Sequence, residues 1–222
     1  MEIKRVTKMD TTNFEVGDVF PMTLSDGEQV EAMAMKQESD GMIFMLIDCL
    51  LDESSMNSEN TNRGGYDASD LRMKLNGEIL ERFPAEIREQ MVAFQNGDLL
   101  RLPTEKEIFG ENRYGEYESE DVTQFEPMKL RRNRIAFQGM NGAWEWWWLA
   151  NKVRGSAARF ASVNNGGDAY LLRQRFYRLR CSPRFQDQES LICAPLWGAR
   201  ERVIAPGDAS GCLPALMEEN AQ

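Results

Sequence analysis

Histidine is absent from all 222 residues. The absence removes the side chain that most often acts as a general base near neutral pH and most often ligates zinc. A serine or cysteine nucleophile normally needs such a base beside it, so triad-type catalysis has no proton acceptor. Cysteine is scarce. Cys49, Cys181, Cys193 and Cys212 are scattered, none in CxxC spacing, which argues against a zinc site. Long apolar runs are missing too: no stretch approaches eighteen apolar residues, so no membrane insertion is expected. The opening MEIKRVTKMDTTNFEV has basic residues but no apolar stretch behind them. It does not read as a signal peptide, and the chain is expected to be cytoplasmic when made. A disulfide framework is then not expected. The pairing of Cys181, Cys193 and Cys212 stays open, whereas Cys49 lies in an apolar run and reads as a buried small hydrophobe.

Phosphate-cradling motifs are also wanting. Neither GxGxxG nor GxxxxGK(S/T) occurs, and Gly64-Gly65 and Gly166-Gly167 are isolated pairs that read as turns. The DxDxDG calcium loop is absent. The 36 acidic residues offer many carboxylate pairs, but no spacing marks one out as a glycosidase pair. No cofactor or metal is therefore expected.

What is present is an ordinary globular composition, 42% hydrophobic and 28% charged, enough for one core-bearing domain. Charge is unevenly spread. Residues 1–150 carry 16 basic and 29 acidic side chains, residues 151–185 eight and one, and residues 186–222 two and six. A basic island interleaved with aromatics thus sits in an acidic chain of net charge −10. Such an island can steer an acidic partner, or it can pair with the chain's own carboxylates.

Polarity patterns predict β structure over 14–50. Val30, Ala32 and Ala34 share one side of a strand, Asp40-Gly41 turns, and Met42 to Leu46 is an apolar run of the buried-strand kind. A helix follows, capped by Asp67 or Ser69, with Leu71, Leu75 and Ile79 in helical spacing. It is expected to pack on Val30, Ile43 and Leu46. Pro84 opens a short helix, and Thr104 with Glu107 makes a capping box. Residues 111–133 read as a surface excursion. Strands are predicted over Trp144–Leu149, Ala158–Val163 and Ala169–Leu172, with Asn164-Asn165-Gly166-Gly167 as a turn. Alternation puts Trp144, Trp146 and Trp148 on one side and Trp147 on the other. These rings read mainly as core, with an exposed aromatic platform at one strand end as the functional alternative. The tail from Gln186 has little periodicity. The domain division is therefore 1–185 as the folded domain and 186–222 as an irregular extension.

Several segments, in order, carry a resemblance: GGYDASDLRMKLNGEIL, DLLRLPTEKEIFG, NRIAF, WWWLANKV, SAARFASVNNGGDA and CSPRF. Over roughly 14–185 the chain resembles a C-type-lectin-like family from gut Firmicutes and their phages. It departs from that family at Cys181-Ser182-Pro183-Arg184-Phe185 and in the tail. The resemblance implies an α+β, C-type-lectin-like fold with a mixed or antiparallel sheet, two or three short helices and long irregular loops. Some relatives are variable proteins of diversity-generating retroelements, similar to the phage major tropism determinant. There, randomised adenines in Asn codons near the C-terminal end of the fold build the ligand-binding face. Randomising the first two bases of AAC can never give Lys, Glu, Gln, Met or Trp. Those types fill 58 of 222 positions, so about five are expected among the 19 positions of 164–182, and Gln174 alone occurs.

The resemblance implies a non-enzymatic, phage- or prophage-encoded binding protein, assembled into a virion, recognising a protein or glycan ligand on a host or partner surface. Its binding face would comprise Asp168, Tyr170, Leu172, Arg173, Arg175, Phe176, Tyr177, Arg178 and Arg180, with part of the Asn151–Arg159 loop. The aromatics would give contact area at low entropy cost and the arginines forked donors. The competing reading is a twisted strand pair with buried apolar residues and solvated arginines. Calcium-dependent sugar binding is not implied, because Glu126-Pro127-Met128 lacks the Asn of Glu-Pro-Asn. Nucleic acid could use the same island, but the acidic remainder repels phosphate. An enzyme on a formylglycine-generating or sulfoxide-synthase scaffold would need a copper-binding cysteine pair or an iron-binding histidine, and neither is present. Homo-oligomerisation is left open.

Overall fold

The structure, a computed structural model, describes residues 14–173 and 177–185, with the backbone alone at Arg173 and Tyr177. The extension expected over 186–222 lies outside the described residues. The architecture is α+β, with short helices and mainly antiparallel sheets. The first sheet joins β1 (Val19–Thr23), β2 (Gln29–Glu38), β3 (Gly41–Leu46), β12 (Ser182–Phe185) and β5 (Leu100–Arg101), in that order. The second joins β10 (Ala169–Arg173), β9 (Arg159–Val163), β8 (Trp147–Lys152), β11 (Tyr177–Arg178) and β4 (Glu53–Ser54). A two-stranded ribbon, β6 (Ala136–Phe137) with β7 (Trp144–Glu145), stands beside them.

The apolar run predicted as a buried strand is β3, and all six of its residues are buried. Its alternation feeds two cores. Met42, Phe44 and Leu46 join Val30, Ala32 and Ala34, with Leu71, Leu75 and Ile79 of the helix and Trp148, Phe160 and Leu172 of the second sheet. Ile43 and Met45 join Trp147, Leu149, Ala161, Val163, Ile108 and Phe125 on the opposite side. The helix therefore packs on Val30 and Leu46 as expected but not on Ile43, because neighbouring residues of one strand face opposite ways.

The helix comprises Asp70–Lys74, a π-helical stretch Leu75–Ile79 and Leu80–Arg82. Ser69 caps it, accepting from the Arg72 backbone N–H at 3.1 Å. Gly77 lies in the π stretch, beside the side chain that ties the helix to β5. Asn76 Oδ1 accepts from the backbone N–H of Leu99 and Leu100, and its Nδ2 donates to the Leu100 and Arg72 carbonyls. The amide thus fills the hydrogen-bonding role of a missing strand at that edge. Arg82, at the helix end, pairs with Asp26, Glu28 and Asp52 and anchors the β1–β2 turn. The Thr104–Glu107 capping box is formed, and Gly110, in the left-handed region at φ 78°, ends that helix.

The closing strand was not foreseen as an element. β12 lies between β3 and β5, pairing Arg184 with Ile43, Phe185 with Met42, and Pro183 with Leu100. Proline is tolerated there because the β3 ladder starts only at Arg184. Arg184 is buried and pairs with Glu38 at 2.9 Å and Asp40 at 3.2 Å across the β2–β3 hairpin. Cys49 and Cys181 are free and buried, and burial pushes each thiol up to about 12. Among the described residues no helix is long and apolar enough to cross a membrane.

Because β12 completes the first sheet and residues 14–185 close both cores, truncation should have a sharp boundary. Removing 188–222 should leave a cooperative thermal transition, whereas removing 181–222 should abolish it. Circular-dichroism melts of the two truncations check this.

Candidate recognition face

The second sheet and the β6–β7 ribbon decide which aromatic rings reach solvent. In β8–β10 the register aligns Trp148, Ser162 and Tyr170 across one face. Trp148 is buried, and its Nε1 donates to the Ser54 carbonyl at 2.9 Å. Ser162 is small and buried, so Tyr170 can lean across it onto Trp146. The two rings meet edge to face at 4.9 Å, a geometry set by the aromatic quadrupole. Tyr170 is 46% exposed, at the rim of the first core. Trp147, on the reverse face, is wholly buried, with Nε1 donating to the Arg134 carbonyl at 3.1 Å.

Further along the same run, the ribbon places Phe137 opposite Trp144. Directly opposed residues of a ribbon share one face, and here that face is open: Trp144 is 62% exposed. Met140 at the ribbon's tip and Leu51 beside it are also exposed, and Leu51 packs against Gly139. Leu51, Met140 and Gln138 border a shallow cavity of about 250 Å³. Leu51, Phe137, Met140 and Trp144 are the exposed apolar residues on and beside the ribbon, taken together as its apolar strip, with Tyr170 and half-buried Trp146 where the run enters the sheet.

The residues expected to form the binding face divide. Tyr170 is exposed. Asp168 is half-exposed and engaged, its carboxylate accepting from Arg131 Nη2 at 2.8 Å, and its N–H donating to Asn164 Oδ1 to close the β9–β10 hairpin. Leu172 is a core residue and is removed from the face, because its position in β10 points into the first core. Arg178 is removed as well: it is buried, pairs with Glu53 at 3.0 Å and donates to the Leu51 carbonyl. Arg180 is the most buried of the set, donating to the Leu46 and Asn133 carbonyls with its guanidinium over Trp147 at 4.8 Å. Burial brings its pKa down to about 10, and the field of nearby Asp48 offsets this in part. Arg175 and Phe176 lie outside the described residues, as do the side chains of Arg173 and Tyr177. Of the basic island's described cations, Arg178, Arg180 and Arg184 are buried and Lys152, Arg154 and Arg159 are partly exposed; Arg178 and Arg184 pair with the chain's own carboxylates, as in the pairing alternative. Its loop 151–159 contributes elsewhere. Asn151 and Lys152 line a cleft of about 440 Å³ with Gly64, Glu118 and the exposed Tyr117. Glu118 Oε2 there accepts from Asn112, Asn151 and the Lys106 N–H. The exposed aromatic platform held as the functional alternative for the Trp144–Trp148 run lies at Trp144, whereas its pairing with Phe137 was not read from sequence.

Among the described residues no group of three or more His, Cys, Asp or Glu side chains is placed to share a metal ion. What the strip can do chemically is remove apolar surface from water on a partner and stack on flat rings or sugar faces. Substitutions should separate it from the core. Leu172→Ala should cost about 2–5 kcal/mol, and Trp144→Ala should stay within about 0.5 kcal/mol. Urea unfolding of both variants measures this. Comparison of the chain with models of known protein families, with curated proteins and with solved structures finds no significant match.

Proposed function

We propose that the chain is a non-enzymatic binding protein with a C-type-lectin-like fold, phage- or prophage-encoded, that recognises a protein or glycan ligand on a host surface. The recognition surface in this reading is the aromatic strip of Phe137, Met140 and Trp144, continued by Tyr170, rather than the buried Arg178 and Arg180. The observation that carries it is Trp144: a tryptophan 62% exposed and paired with an exposed phenylalanine is an apolar patch of the kind that marks an interaction site. Tryptophan and tyrosine supply large, rigid contact area at low entropy cost, which is why they dominate binding hot spots. The lectin-like reading is supported by the ordered motif series and by a closing strand that returns into the N-terminal sheet. The nucleic-acid alternative loses three of its cations, since Arg178, Arg180 and Arg184 are buried.

The test is binding of the full chain to intact Firmicutes cells and to arrayed surface glycans, compared with Trp144→Ala/Tyr170→Ala. At about 1–2 kcal/mol or more for each hot-spot residue, the double variant should bind at least tenfold more weakly at an unchanged melting temperature. Wild-type binding retained by the double variant would refute this assignment.

A further inference from the structure

Asparagine followed by glycine is the dipeptide most prone to spontaneous deamidation. The glycine nitrogen attacks the side-chain carbonyl carbon of the asparagine, and without a Cβ nothing hinders the approach. The chain has four such dipeptides, at Asn76, Asn96, Asn141 and Asn165. Ring closure needs a side-chain amide free to swing back and a backbone nitrogen free to receive it. Where either is tied up, the segment must first open locally, so the fold sets a separate rate for each site.

Three of the four are tied. Asn76 lies inside the helix, and its amide is committed to Leu99, Leu100 and Arg72. Asn96 donates to the Asp98 carboxylate at 2.8 Å and accepts from the Asp98 N–H at 3.2 Å, while the Gly97 N–H donates to the Phe94 carbonyl at 2.8 Å. After Asn165, the Gly166 N–H donates to Asn164 Oδ1 at 2.9 Å in the β9–β10 turn. Asn141 differs. It is exposed at the tip of the β6–β7 ribbon, where the 3₁₀ turn Gly139–Asn141 ends. Among the described residues its side chain makes no hydrogen bond, and the Gly142 N–H caps the turn without one.

Glycine is also required at position 142. The tip is closed by the Gln138 N–H donating to the Ala143 carbonyl at 2.8 Å, and a Cβ on Gly142 would run into the Gln138 carbonyl oxygen and side chain. The packing that shapes the tip therefore keeps the reactive dipeptide in it.

We propose that Asn141 is a site of selective, spontaneous deamidation that remodels the tip of the ribbon as the protein ages. The Gly142 nitrogen bonds to Asn141 Cγ, its proton passes through solvent to the leaving amide, and the Cγ–Nδ2 bond breaks to release ammonia. Water then opens the cyclic imide at either carbonyl, giving aspartate or isoaspartate. Both products place a negative charge beside Met140. Isoaspartate also inserts an extra backbone carbon into a tip already pressed against Gln138, which disturbs the pairing of Phe137 with Trp144. The modification stands by itself; only its effect on binding rests on the proposed recognition strip.

The full chain can be held at mildly alkaline pH, native and in urea, and peptide maps with electron-transfer fragmentation then count aspartate and isoaspartate at the four positions. In the native chain Asn141 should convert at least about tenfold faster than Asn76, Asn96 and Asn165, which must each open first. In urea the four rates should converge, because each asparagine is followed by glycine. Conversion of Asn96 or Asn165 as fast as Asn141 in the native chain would overturn the proposal, as would a preference for Asn141 that persists in urea. Asn141→Gln, whose longer side chain closes the ring poorly, should leave the tip unmodified and the melting temperature unchanged. Aged wild-type protein should then bind cells more weakly than aged Asn141→Gln. Equal binding by the two, with Asn141 converted, would refute the effect on recognition and leave the modification standing.

Discussion

The pairing of β12 with β3 is the contact on which the rest of the molecule depends. It brings the last described residues back between two strands laid down near the start and near residue 100. That single return seats Phe185 against Phe44, with ring centroids 5.3 Å apart. It also carries Cys181, Arg180 and Leu179 through the interior on their way in. β3 can be buried on both faces only because β12 covers its second edge and each face has its own core.

From that constraint follows the fate of the basic island. A chain that must cross the interior to reach β12 buries whatever lies just before it, and here that includes Arg178 and Arg180. Arg178 and Arg184 are neutralised by carboxylates from the acidic first two-thirds of the sequence, which gives the opposite charges of the two regions a structural purpose. Coulombic pairing at low local dielectric makes such bridges costly to break from one side. The aromatic rings divide differently: Trp147 and Trp148 are consumed by the two cores, while Trp144 lies on the open face of the ribbon, outside both.

Much of this was legible in the sequence because it is local. The apolar run Met42–Leu46, the Ser69 cap, the Thr104–Glu107 box and the Asn164–Gly167 turn each declare themselves within a few residues. The alternation of the tryptophans correctly separated Trp147 from Trp148. What was not legible is set at long range. Pro183 and Arg184 do not read as a central strand, and Arg184 is acceptable there only because Glu38 and Asp40 wait for it nearly 150 residues earlier. The aromatic and arginine residues of 170–180 look alike as a recognition segment whether they face solvent or the interior. Burial of Arg180 depends on carbonyls of Leu46 and Asn133, which no local pattern announces. The Asn76 bridge to β5 was likewise invisible, since an asparagine in a helix ordinarily signals only lower propensity.

The central claim is that the aromatic residues of this region divide into an exposed strip and a buried pair. Hydroxyl-radical footprinting of the native chain, read residue by residue by mass spectrometry, tests that most directly. The account predicts rapid modification of Trp144, Met140 and Tyr170 with protection of Trp147 and Trp148. Protection of Trp144 and Tyr170, or modification of Trp147 at a comparable rate, would contradict it.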